Sequence, residues 1–488
     1  VTAPIPKSIL ALILLGLFGC APKADPEPSV APAEPIDRTV KPAPLAAGSF
    51  ALPQVSEGVL SNGLRVVVVE NHELPLVDLR LAFDVGGWTD PPGQEGLAEA
   101  AMDMLNEGAG DHDALGLSAA LKSLASKLST RAGKDSASVH ADTLKKNLAP
   151  TLDLMATVLL APTFPESEWE RVQKQRVQAI TTQKANPQNL ARQIARTLAY
   201  GDAYLGVTAT EESVGALTVD QLRAWVDLWL VPGRALLLVG GDTTPDEILP
   251  LLEDRFGGWT GETPRTAPVR PMVQPEATTV YLVDKPGAAQ SVLTLQRFVG
   301  DRTDPEFPAL SLGNRAWGGQ FTARLNMNLR EDKGYTYGAR SSFGHGYAPS
   351  RWVASASVHT GVTRAALDEV FAELSAVSAD RPLTAEEIEY VRSGLVHGYP
   401  GRFEQAEALL REMETVWRYR LPDDWLSGYL DRVAAVDPAI AQAVFAERVA
   451  TQPLQVLVVG DLALVREDIE ALGHPVVLLD TDGKPVQE

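Results

Sequence analysis

Glu99 and Asp103 stand four positions apart in "GLAEAAMDML" (96–105). Leu97, Ala100, Ala101, Met104 and Leu105 recur around them at helical spacing, so the stretch reads as an amphipathic helix with both carboxylates on its other side. Two acids one turn apart repel weakly when both are exposed. Such a pair is a site, the remains of one, or a solvated face. Oxygen ligands suit Ca²⁺ or Mg²⁺, yet two carboxylates alone leave most of the shell unfilled. The seven histidines, at 72, 112, 140, 345, 359, 397 and 474, show no pair at ligand spacing and read as ordinary polar residues.

Composition excludes some partners. The 488 residues carry a formal charge of −20, which repels phosphate backbones, so no nucleic acid is expected. With one cysteine, no intrachain disulfide can form. That cysteine follows Lys7 and an apolar run over 9–18, a secretory-signal pattern too short for a comfortable membrane span. "LFGC" resembles the bacterial lipoprotein box, which implies lipidation of Cys20. Ala21 is not the Asp that resembles an inner-membrane retention signal, so the expected location is the periplasmic side of the outer membrane. The rival reading is an uncleaved anchor with an incidental cysteine. Residues 21–53, rich in Pro and Ala, read as an extended tether.

The elements that must position these groups form a repeat. "EGVLSNGLRVVVVEN" is strand, turn, strand, and "LVDLRLAFDVGG" (76–87) is a further strand. Helical patterns follow over 96–107, 114–128, 143–160, 166–184, 188–200 and 218–229, then a buried strand, "RALLLVGGD" (234–242). The succession recurs: strands at 278–286 and 291–301, helices near 307–333, 363–378, 384–395, 403–419 and 437–448, then "LQVLVVGD". Asp242 and Asp461 end the two matching strands 219 positions apart. The chain is therefore read as α+β, two copies of one unit with mostly antiparallel sheets packed with helices. The units span 54–260 and 277–488, joined by a proline-rich linker over 261–276 and preceded by the signal (1–20) and tether.

From about Val55 onward, "GWTDPPGQEGLAEAAMDML" and "GGQFTARLNMNLREDKGYTYG" resemble the insulinase/pitrilysin family, in particular its mitochondrial-processing-peptidase-like branch. Active members carry HxxEH in the first unit: two histidines bind zinc and the Glu between them is the general base. In that frame Glu99 and Asp103 hold the histidine positions and Met102 the base position. The third ligand is a Glu on a later helix. "ERVQKQRVQAI" (170–180) resembles it, with Ala179 at the matching position. The resemblance thus implies a degenerate zinc site and no metal on this chain.

In the second unit the family places an Arg near a helix end and a Tyr seven residues on, which reach the zinc site and bind peptide and oxyanion. Arg330 and Tyr337 match, with Tyr335, expected on the same strand face, as the rival. Guanidinium and phenol are donors suited to a carbonyl oxygen gaining charge. A surface Arg with a core Tyr is the plainer alternative. The resemblance implies a non-catalytic subunit of a zinc peptidase heterodimer. It would act on peptides or unfolded segments beside a homologous partner that carries the zinc. The alternative is a pseudopeptidase that holds peptides or scaffolds an envelope complex.

Overall fold

The computed structural model describes residues 50–202, 204–268, 272–347 and 349–486. The signal, Cys20 and the tether up to position 49 lie outside them. The tether reading does not reach 53: Phe50 stacks on Phe403 at 5.8 Å, and Leu52 packs against the same apolar cluster.

Among the described residues, fourteen strands form two six-stranded sheets and one small ribbon. The first half contributes β1 (Val55–Val59), β2 (Arg65–Glu70), β3 (Leu76–Phe83), a ribbon of β4 (Gly108–Ala109) and β5 (His112–Asp113), then β6 (Lys127–Ala132), β7 (Ala137–Leu144) and β8 (Ala235–Gly241). The second contributes β9 (Thr279–Asp284), β10 (Gln290–Phe298), β11 (Thr336–Gly344), β12 (Arg351–His359), β13 (Gln455–Gly460) and β14 (Val476–Leu479). The orders are β1-β2-β8-β3-β7-β6 and β11-β12-β10-β13-β9-β14. Five strands correspond one to one. β2, β8, β3, β7 and β6 match β9, β13, β10, β12 and β11 in order, and each matched pair is parallel or antiparallel in the same sense. The sixth strand differs: β1 is an antiparallel hairpin partner of β2, whereas β14 is parallel to β9.

Both faces of each sheet are covered, which explains the unbroken apolar runs in β2, β8 and β13. One face of the first sheet presents Leu79, Leu81, Phe83 and Val139 to a core shared with helices of the same half, among them Leu97–Met104. The other face presents Val67, Val69, Leu236 and Leu238 to Leu409 and Leu410 of the helix Ala406–Tyr419, which comes from the second half. The exchange is reciprocal. Leu190 and Ile194 of the helix Pro187–Tyr200 cover Val283, Val292, Leu457 and Val459 of the second sheet. The two exchanged helices start at 187 and 406 and end at 200 and 419, both offset by the 219 positions of the repeat. Each buried leucine at these crossings contributes about 1.5–3 kcal/mol. The halves are thus locked by each other's helices.

Three local readings are corrected. The helix begun at Ala114 ends at Ser123, and 127–144 is the hairpin β6–β7. The next helix therefore starts at Leu148 rather than 143. The run 307–333 is not one helix: Phe307–Trp317 stops at Gly318, and a short turn, Arg324–Asn326, leads into a π-helical segment, Met327–Asp332.

Candidate functional site

Glu99 and Asp103 do share one side of the helix Leu97–Met104, and something lies between them. It is Arg176, from the neighbouring helix Glu166–Ala185. Its Nη2 donates to Glu99 Oε2 at 2.6 Å and its Nη1 donates to Asp103 Oδ2. Arg176 is largely buried, Glu99 is a third exposed, and Asp103 is 43% exposed. One guanidinium therefore forks across two carboxylates one turn apart and ties two helices together. Burial, with Glu99 nearby, pushes the Asp103 carboxyl above its usual range, and Arg176 opposes the shift. Neither a solvated pair nor a calcium-type site fits this arrangement.

Neither remaining position offers a zinc ligand or a general base. Met102 is fully buried in the first core, where a thioether can neither take nor give a proton. Ala179 is exposed and offers no ligand atom. Two carboxylates already engaged by an arginine do not fit a zinc ion. The resident cation is a guanidinium, all donors and no open coordination position, so it cannot activate a water as a metal ion does. No hydrolytic step can be routed through this cluster.

The helix carrying the pair is held by Asp90. Its carboxylate accepts from Gly96 N–H at 2.8 Å and Ala98 N–H at 2.9 Å, closing donors the first turn leaves open. Burial pushes the Asp90 carboxyl up to about 7 despite these bonds. Alongside runs β6, an edge of the first sheet, joined to the end of this helix region by Asn106 and Thr130.

In the second half, Arg330 lies in the π-helical segment, where Lys333 N–H donates to Asn328 O at 3.0 Å, five residues back. Such segments occur often at functional sites. Its guanidinium stacks 4.6 Å from the Phe321 ring centroid and pairs with Glu331 at 3.1 Å. Gly334, at φ 67°, turns the chain into β11. Tyr337 is 90% exposed and its hydroxyl makes no hydrogen bond among the described residues. Tyr335 does not share its face: it precedes β11 and is partly buried against the second core, and the register shifts between Thr336 and Ala339. Asn326, buried, fixes the surroundings. Its amide donates to Phe321 O at 2.7 Å and its oxygen accepts from Ala339 N–H at 3.0 Å. Upstream, a Cβ on Gly318 would stand 2.6 Å from Ser341 Oγ, so that close approach needs glycine. No hydrogen bond or ion pair among the described residues links Arg330 or Tyr337 to Glu99, Asp103 or Arg176.

Sequence reasoning missed Arg176. The signal was present: it stands three positions before Ala179, on the face of the helix that would have offered the third ligand.

A duplicated α+β body defines a class, and comparison agrees. The family described as "Insulinase (Peptidase family M16)" matches residues 65–208, and "Peptidase M16 inactive domain" matches 216–395. This chain belongs to the insulinase family, as an inactive, peptidase-like member. It is similar to an uncharacterized zinc protease, YmxG, of Bacillus subtilis: 24% identity over 283 residues, 57% of this chain and 68% of that protein. It is also similar to the non-peptidase homolog YmxG of Helicobacter pylori, 25% over 191 residues, 39% of this chain and 44% of that one. In fold it resembles the crystal structure of a peptidase M16 inactive domain from Pseudomonas fluorescens. That match has a TM-score of 0.75 and 24% identity, over 83% of this chain and 98% of that one.

Proposed function

We propose that this chain is the non-catalytic subunit of a zinc peptidase heterodimer, tethered through lipidated Cys20 to the periplasmic face of the outer membrane. Its partner is a homologous chain with an intact zinc motif, and its substrate a peptide or unfolded segment. Arg330 and Tyr337 supply donors to the substrate carbonyl in the shared chamber. The observation that carries the reading is Tyr337: nine-tenths exposed, its hydroxyl unbonded, and presented at the start of an edge strand that the fold does not require it to occupy.

The test is peptide cleavage by the reconstituted pair. Removing one preorganised oxyanion donor costs on the order of 10²–10³ in rate, about 3–4 kcal/mol. Arg330→Ala and Tyr337→Phe should each lower turnover by that order while partner binding and melting stay unchanged. Tyr335→Phe, which keeps the buried ring, should do little. Substrate affinity should fall less, since a bond to a neutral carbonyl contributes about 1 kcal/mol.

A second reading, a pseudopeptidase that holds peptides or scaffolds an envelope complex, is favoured by β6. An edge strand has one row of unpaired backbone groups, to which an extended peptide can add. Wild-type turnover in both Arg330→Ala and Tyr337→Phe, with peptide still bound, would leave this reading standing and remove the first.

A further inference from the structure

We propose that Asp78, His140 and Asp142 form a metal site for a divalent transition ion of the zinc class, on the opposite face of the first sheet from Glu99 and Asp103. β3 and β7 are antiparallel neighbours, and Asp78 lies directly opposite Asp142. His140 lies two residues before Asp142, on the same side of β7. Leu79, Leu81, Val139 and Ala141 alternate with these residues and point into the core shared with the helix Leu97–Met104, so the two clusters are separated by the sheet itself.

The side chains converge. His140 Nε2 is 2.5 Å from Asp78 Oδ2 and 3.7 Å from Asp142 Oδ1. One ligand atom from each of the three lies within 4.8 Å of the others, the one such group of three found among the described residues. Like charges directly opposite on adjacent strands destabilise a sheet. Here they face each other nonetheless: Asp78 Oδ1 is buried and accepts from no N–H or hydroxyl donor among the described residues, and the Asp78 and Asp142 carboxyls lie within hydrogen-bond reach of each other. A buried acceptor left without a donor is costly unless something fills its place. Arg80, on the same face, pairs with Glu414 at 2.5 Å and acts on Asp78 and His140 only through its field. Glu407, from the exchanged helix Ala406–Tyr419, adds negative charge to the field at Asp142.

The donor set chooses the ion. One imidazole nitrogen with two carboxylates suits zinc and its transition-metal neighbours, whereas calcium and magnesium take oxygen alone. Asp142 is half exposed, so the fourth position opens to water. Such an ion would pin β3 to β7. The rival occupant is a proton, with His140 as an imidazolium held between two carboxylates.

The test uses the full chain, freed of metal by a chelator and titrated with zinc chloride in a calorimeter. One zinc per chain should bind. His140→Ala and Asp142→Asn should each weaken binding on the order of 100-fold or more, since each removes one of three protein ligands. The double variant Glu99→Gln/Asp103→Asn should bind zinc as the wild type does. Cobalt(II) offers a readout that does not rely on a variant folding: the unaltered chain should give visible d–d absorption that zinc displaces. Absence of both binding and absorption at about 100 μM free ion, far above the apparent affinities of structural zinc sites, would assign the cluster to a proton and overturn the proposal. Binding that survives His140→Ala, or vanishes in Glu99→Gln/Asp103→Asn, would overturn it equally.

Discussion

Replacing Arg176 with methionine removes the guanidinium and keeps most of the stem that packs between the two helices. A fully buried charge-assisted hydrogen bond contributes roughly 1.5–3 kcal/mol, and an exposed ion pair below about 1. Arg176 is 16% exposed, but its partners are 33% and 43% exposed. Each arm therefore contributes near the lower figure, about 1 kcal/mol. Losing both also unmasks the repulsion between Glu99 and Asp103, a further 0.2–0.5 kcal/mol or so at this spacing. The sum is about 2 kcal/mol, a factor of about 30 in a local opening equilibrium. Hydrogen exchange reads that opening directly. Amides of the helix Leu97–Met104 should exchange roughly 10- to 100-fold faster in Arg176→Met at neutral pH. The triple variant Arg176→Met/Glu99→Gln/Asp103→Asn should recover part of the loss, because neutral amides do not repel. The sign with pH is fixed as well. The Asp103 pKa lies above its unfolded value in the native chain, so its ionisation costs stability at higher pH, and that cost is relieved as pH falls. Without Arg176 the shift grows, and the defect should shrink on acidification. Less than a twofold change in exchange, or a triple variant worse than the single one, would refute the arginine as the element that ties these two helices together.

Two further outcomes are expected. With Asp90 pushed up to about 7 against 3.8 when unfolded, its ionisation costs native stability above pH 7 and is relieved as pH falls towards 4. The body should gain about 1 kcal/mol between pH 8 and pH 6, a slope that Asp90→Asn should abolish in urea titrations at the two pH values. Lipidated Cys20 should give a mature chain whose intact mass includes acyl groups and which partitions into detergent, since each buried methylene contributes about 0.8 kcal/mol. Cys20→Ala should release it, and an unmodified N-terminus elsewhere would refute the anchor.

Much of the architecture was legible because periodicity reports burial. The apolar runs of β2, β8 and β13 and the 219-position offset pointed to a duplicated α+β fold. The hairpin β6–β7 was hidden because "KLSTRA" and "ASVHADTL" put polar or small residues on alternate positions and follow a helical stretch. The exchanged helices were visible as helices. Their destination was not, since an apolar stripe through Leu190 and Ile194 shows what must be buried and not which sheet buries it. At the site, the resemblance set Glu99, Met102, Asp103 and Ala179 at the zinc positions, while Arg176, which joins Glu99 to Asp103, is a tertiary contact between helices. His140 escaped notice for a related reason: its partners lie two residues along a strand and across to the next one, not one helical turn away.

We propose that a guanidinium stands where the family's active members hold zinc, and that this chain cannot hydrolyse peptides alone. The measurement is turnover of an unstructured fluorogenic peptide by the purified full chain, with zinc chloride added and no partner present. The account predicts a rate no higher than that of the buffer containing zinc, unchanged by Glu99→Gln/Asp103→Asn, whether or not zinc is held at Asp78, His140 and Asp142. Zinc-dependent turnover that a chelator stops and that Glu99→Gln/Asp103→Asn abolishes would contradict it.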